Sequence, residues 1–130
     1  MRVVVTGGRE YRDQARVDEV LDKVHTETPI ELLIEGGARG ADKAALLWAL
    51  KRNVPHDQYD AKWTDLKAFG ARIRYHKGRP YNANAGKQRN IRMLIEGRPQ
   101  LCVAFPGGDG TAHMKAQALL RGVPVLEVDQ

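Results

Sequence analysis

Three glycines in four positions, Gly107, Gly108 and Gly110, lie between an apolar run at residues 101–105 and a helix-forming stretch that begins at Thr111. Glycine lets the main chain approach a ligand closely, and the start of a helix aims unpaired N–H groups at negative charge. The segment Phe105-Pro106-Gly107-Gly108-Asp109-Gly110-Thr111 therefore has the makings of an anion cradle with phosphate as its guest. A tight strand-to-helix turn that uses glycine only for its dihedrals is the alternative. Two more clusters weigh for the ligand: Gly7-Gly8-Arg9 follows the apolar residues 3–6, and Gly36-Gly37-Ala38-Arg39-Gly40 follows residues 32–35. Three independent packing turns on one sheet edge are less expected than one shared ligand site.

The side chains beside these turns can serve a nucleotide. Arg9 and Arg39 follow the glycines and can grip phosphate through two bonds each. Glu35, at the end of the second apolar run, can accept bonds from ribose hydroxyls or face solvent as a strand-terminal carboxylate. Asp42 can contact ribose, or simply favour the dipole of the helix it begins. Arg89 and Asn90 open a later helix beside a basic loop, where ligand contact competes with surface solvation. Asp109 would repel phosphate unless it points away or toward a sugar. Trp63 can stack on a base, whereas Trp48, on an alanine stripe, reads as core. His25, His56, His76 and His113 share no metal-ligand spacing, so no metal site is expected, and no Ser/His/Asp or Cys/His arrangement supports nucleophilic catalysis. The sequence holds no G-x-x-x-x-G-K-[ST]. It also lacks G-x-G-x-x-G, because His113 stands where the last glycine after Gly108 and Gly110 would fall, which disfavours a hydride-transfer dinucleotide cofactor.

The net charge of +5 is local. Between Arg72 and Arg92 stand seven basic residues and no Asp or Glu, leaving the rest of the chain net negative. That segment points to a phosphate or nucleic-acid site, or to a solvated loop. At 130 residues, 42% of them hydrophobic, the chain suits one domain, 1–130. A single cysteine, Cys102, in an apolar run argues for a reduced, cytoplasmic setting without disulfides. The amino-terminal run is too short for a signal-peptide core, and no run approaches membrane-spanning length, so neither targeting nor a membrane partner is expected.

To position these groups, short Val/Ile/Leu runs at 3–6, 32–35, 101–105 and 123–128 read as parallel strands covered on both faces, and 56–61 reads as a weak further strand. Val17, Val20, Leu21 and Val24 follow helical spacing behind Asp13 as N-cap, and Ala41, Ala44, Ala45 and Trp48 repeat it. A short helix at 64–71, one at 85–96 with Ile91, Leu94 and Ile95 inward, and one at 111–121 complete the pattern. Residues 72–84 read as a long irregular loop of the kind that forms lids. Strands alternating with helices predict a three-layer, Rossmann-like, doubly wound α/β fold, with about five parallel strands in the order 3-2-1-4-5 and a ligand crevice between strands 1 and 4.

The chain resembles the SLOG superfamily, the Rossmann-like group of the Smf/DprA proteins and the LOG phosphoribohydrolases, and within it the YspA-like branch of small bacterial and phage proteins. The resemblance rests on Val5-Thr6-Gly7-Gly8-Arg9 with Tyr11, on Ile34-Glu35-Gly36-Gly37-Ala38-Arg39-Gly40-Ala41-Asp42 with Trp48-Ala49, on Trp63, on Gly86-Lys87-Gln88-Arg89-Asn90 with Met93-Leu94, and on Ala104-Phe105-Pro106-Gly107-Gly108-Asp109-Gly110-Thr111-Ala112. It implies a nucleotide or nucleotide-derived ligand, NAD- or ADP-ribose-related molecules included, lying across Gly7, Gly8, Arg9, Gly36, Gly37, Arg39, Asp42, Arg89, Asn90, Pro106, Gly107, Gly108, Gly110 and Thr111, in a sensor or processing protein. A homodimer is a further implication.

LOG phosphoribohydrolases cleave the N-glycosidic bond of nucleoside 5′-monophosphates with a glutamate in P-G-G-x-G-T-x-x-E and an upstream arginine. Arg89 falls near that arginine, but Met114 occupies the glutamate position. A methionine cannot handle a proton as a carboxylate can. Hydrolysis would need Glu35 or Asp42 in its place, with Arg89 holding phosphate. Single-stranded nucleic-acid binding is a third reading, from the 72–92 segment and the Smf/DprA likeness, weakened by the few aromatics there, Tyr75 and Tyr81.

Overall fold

The computed structural model describes residues 1–129. Five parallel strands form one sheet: β1 (Arg2–Thr6), β2 (Leu32–Glu35), β3 (His56–Gln58), β6 (Leu101–Ala104) and β7 (Val125–Glu127), in the order β3-β2-β1-β6-β7. Val3 and Val5 pair with Leu101 and Val103 on one side of β1, and Val3 and Val4 pair with Leu33 and Ile34 on the other. With the hairpin strands described below left out of the count, this is the 3-2-1-4-5 order, and β1 lies at the switch point.

Side-chain alternation on the central strands divides the interior in two. Val3, Val5, Leu33 and Val103 face α1 (Gln14–Glu27) and α2 (Ala41–Arg52), where Leu21 and Trp48 are fully buried. Val4, Ile34 and Cys102 face α3 (Ala85–Ile95) and α4 (Asp109–Leu120), meeting Met93, Leu94, Met114 and Ala118. The strands carry apolar residues at successive positions because both faces are covered. Asp13 caps α1, its carboxylate accepting from the Arg16 amide at 3.0 Å. Among the described residues, no helix is long and apolar enough to cross a membrane.

Several expectations change. Residues 64–71 form successive turns rather than a helix, with no buried face to hold one. The third and last strands are shorter than the expected 56–61 and 123–128, at His56–Gln58 and Val125–Glu127, and α4 begins two residues before Thr111. On α3 the buried face is Asn90, Met93 and Leu94, while Ile95 is exposed. Finally, residues 72–84 are not irregular: β4 (Ile73–His76) pairs antiparallel with β5 (Arg79–Asn82).

Lys77 and Gly78, at φ of 51° and 77°, turn that hairpin. Two central residues with positive φ match the right-handed twist of the flanking strands. Pro80 is tolerated because a two-stranded ribbon consists of edges. Such a ribbon is marginal alone, and here the wholly buried Asn82 clasps it. Its Oδ1 accepts from the amides of Arg72 (3.1 Å) and Asn84 (3.0 Å), and its Nδ2 donates to Gln88 of α3 at 2.9 Å. Its own amide donates to the Trp63 carbonyl at 2.6 Å.

Candidate functional site

The carboxyl ends of β1, β2 and β6 open into a cavity of about 420 Å³. Gly7, Gly8 and Arg9 come from the turn after β1, Ala38 and Asp42 from the turn and helix after β2, and Gly108 to Thr111 from the turn after β6. Trp63 and the start of α3, with Gly86, Lys87, Arg89 and Asn90, close the remaining side.

The turns brace one another through the main chain. The Gly8 amide donates to the Pro106 carbonyl at 2.8 Å, and the Gly8 carbonyl accepts from the Ala41 amide at 3.1 Å. Gly40 holds φ at +78°, and a side chain there would collide with the Gly8 carbonyl. At Gly107 a side chain would overlap Thr111 and come within 2.7 Å of the Gly8 nitrogen. Asn90, also buried, ties α3 to the third turn by donating to the Gly110 carbonyl at 3.2 Å, with His113 Nδ1 at the same distance.

Three helices point their amino ends at this space, and none has a side-chain cap: α2 begins after Gly40, α3 after Asn84 and α4 after Gly108. By contrast α1, away from the cavity, has its cap in Asp13. Uncapped helix starts leave N–H donors and positive dipole ends available to an anion. Arg9, Lys87 and Arg89 add full charges. The Arg9 guanidinium also lies 5.8 Å from the centre of a Trp63 ring, a cation–π contact that joins the two side chains at the rim.

Beneath the second turn lies a buried acid–base group. Arg89 crosses Gly36 and donates from Nη1 to its carbonyl at 2.7 Å, while its Nε is buried without a partner. Burial pulls its guanidinium below the usual arginine value. Glu35 accepts from the Gly37 amide at 2.6 Å through Oε1, whereas Oε2 is buried and unpartnered. Burial first, and then the charges of Asp42 and Asp60, push its carboxyl up to about 7, against the Gly37 bond and Arg89. Asp42 accepts from the Ala38 amide at 3.2 Å and is raised by burial to about 6. Cys102, pushed up to about 12 by burial, is no nucleophile.

The residues singled out in the sequence therefore divide. Gly7, Gly8, Arg9, Asp42, Arg89, Asn90, Gly108, Gly110 and Thr111 border the cavity. Pro106 and Gly107 stand behind it as braces. Gly36, Gly37 and Arg39 line a separate outer depression, and Arg39 pairs with Glu10 at 2.5 Å. Glu35 borders neither space, because its side chain turns under Gly37, and it does not face solvent. Met114 is fully buried against the sheet. Lys87 and Gly86 border the cavity without having been assigned to it; their signal was the basic helix start they share with Arg89.

Comparison with known proteins gives the chain's family and fold relatives. The model of the YspA, cpYpsA-related SLOG family matches residues 1–65, half of the chain. The Gene 61 protein of Mycobacterium phage D29 is 33% identical over 133 aligned residues, spanning 96% of this chain and 94% of that protein. The X-ray structure of DNA processing protein A (DprA) from Streptococcus pneumoniae shares the fold, with a TM-score of 0.69 and 18% identity over 99% of this chain. The chain spans half the length of that protein. With the first two glycine turns inside the family match and the phage relative extending the likeness across the third, the chain belongs to the YspA, cpYpsA-related SLOG family.

Proposed function

We propose that the cavity binds the phosphate end of a nucleotide or nucleotide-derived molecule. The observation that carries this reading is the convergence of three uncapped helix starts on one cavity that also holds Arg9, Lys87 and Arg89. Phosphate lies against the turn at Gly108 to Thr111, sugar hydroxyls meet Asp42, and the base reaches Trp63 at the rim. A thermal-shift series with purine and pyrimidine nucleotides and ADP-ribose tests it. At least one should raise the unfolding temperature saturably, and Arg89→Ala should weaken that ligand about 10-fold or more, the size of a lost charge-assisted phosphate contact. No shift with any of them overturns the reading.

A second reading, N-glycosidic hydrolysis of a nucleoside monophosphate, is favoured by one observation. Asp42, held near pKa 6 at the cavity wall, can carry or release a proton near neutral pH. It predicts release of free base, abolished by Asp42→Asn. Absence of base release with purine and pyrimidine monophosphates excludes it.

A further inference from the structure

A second trough of about 800 Å³ continues from the first cavity and shares Arg9, Trp63, Ala83, Lys87 and Asp109 with it. Its other wall is the β4–β5 hairpin, which contributes Arg72, Arg74, His76, Arg79 and Tyr81. Five cations thus face one space with a single carboxylate, Asp109. Among the described residues, the side chains of Arg9, Arg72, Arg74, Arg79 and Lys87 make no ion pair and no hydrogen bond. Cations that have carboxylates near them pair instead: Arg12 and Arg39 with Glu10, Arg16 with Glu19, Lys51 with Asp18, Arg52 with Asp22 and Lys115 with Glu127. Unpaired like charges held together by a clasped hairpin repel one another, and a bound anion relieves that repulsion.

We infer that the trough is a second phosphate subsite, so that the ligand carries two nucleotide units joined by a pyrophosphate or a phosphodiester. This rests on the reading of the first cavity as a nucleotide site. The first unit occupies the glycine turns. The linking phosphate passes between Arg9 and Lys87, which both spaces share, and the second unit lies along Arg72, Arg74 and Arg79. Trp63 and Tyr81, whose rings meet at 61° with centroids 6.5 Å apart, give its base an aromatic wall.

Isothermal titration with three probes tests this: AMP, the pyrophosphate-linked diadenosine diphosphate, and the phosphodiester-linked dinucleotide pdApdA. At least one two-unit probe should bind about 10-fold or more tighter than AMP, as two charge-assisted contacts would give. The triple variant Arg72→Ala/Arg74→Ala/Arg79→Ala should remove that gain while leaving AMP binding within about twofold, since none of the three borders the first cavity. Which two-unit probe gains identifies the linkage. If AMP binds and neither two-unit probe exceeds it, the second subsite is overturned and the first reading stands. The second subsite is also overturned if the triple variant, shown folded by circular dichroism, keeps the full gain. If no probe binds at all, the second subsite is overturned, and the nucleotide series set for the first cavity decides the first reading.

Discussion

Arg89 and Glu35 lie within one another's electrostatic reach, yet Arg89 spends its hydrogen bond on a carbonyl and Glu35 keeps an unpartnered oxygen. The consequence is a pH-dependent stability whose sign is fixed. Glu35 titrates at 4.5 unfolded and about 7 folded, so between those values the native chain binds more protons than the unfolded one. Its contribution is therefore fully present below about 4.5 and lost as pH rises through about 7. Over the whole window this amounts to about 3 kcal/mol at most. Glu35→Gln, neutral throughout, should flatten most of that decline, leaving the smaller, same-signed part that Asp42 contributes between 3.8 and about 6. Urea midpoints from pH 4.5 to pH 8 measure it, and an unchanged decline in the variant would refute the assignment. The glycines, Arg9, Asp42 and Arg89 were legible at this scale because glycine turns at strand ends can only meet at one edge. Glu35 and Arg39 were placed by the same logic, but side-chain direction is decided locally. A 2.6 Å bond to the Gly37 amide draws Glu35 under its turn, and Glu10 draws Arg39 outward.

Among the elements, the hairpin is the one the sequence concealed. Its strands are four residues each, with only Ile73 and Tyr75 alternating on β4 and every residue of that strand exposed, so periodicity had too short a signal to register. Its stability is borrowed through Asn82, whose importance depends on contacts with residues 63, 72, 84 and 88 that no local pattern reveals. Asn82→Ala leaves the Arg72 and Asn84 amides without that acceptor, at about 1–3 kcal/mol for such a loss. The effect should be regional: hydrogen exchange at residues 73–82 should accelerate while β1 amides keep their protection. Equal acceleration in β1 would show that the hairpin and the sheet open as one unit. The five-strand sheet was legible for the opposite reason. Buried parallel strands need apolar residues on both faces, and β1, β2 and β6 supply them in short unbroken runs.

Across the whole molecule, charge is sorted by place. Carboxylates pair with cations on the outer faces of α1 and α2, while Arg9, Arg72, Arg74 and Arg79, without ion pairs among the described residues, gather along the hairpin and crevice. Surface pairs of this kind add little to stability, so raising salt to about 0.5 M should leave the urea midpoint nearly unchanged. The same salt should weaken nucleotide binding several-fold, because the ligand is drawn by the exposed, unpaired set. Titrations at two ionic strengths compare the two responses, and salt-independent binding would argue against an electrostatic crevice. The two tryptophans divide the molecule in another way. Trp48 is fully buried and bonds to Asp22 at 2.9 Å, whereas Trp63 is 37% exposed where the two spaces meet. Excited at one wavelength, the chain emits from a shielded indole, blue-shifted and deaf to added quencher, and from a wet one that a base stacking at the rim would dim. Trp48 thus serves as the constant against which Trp63 reports occupancy, and the protein carries its own ratiometric optical gauge without an attached dye.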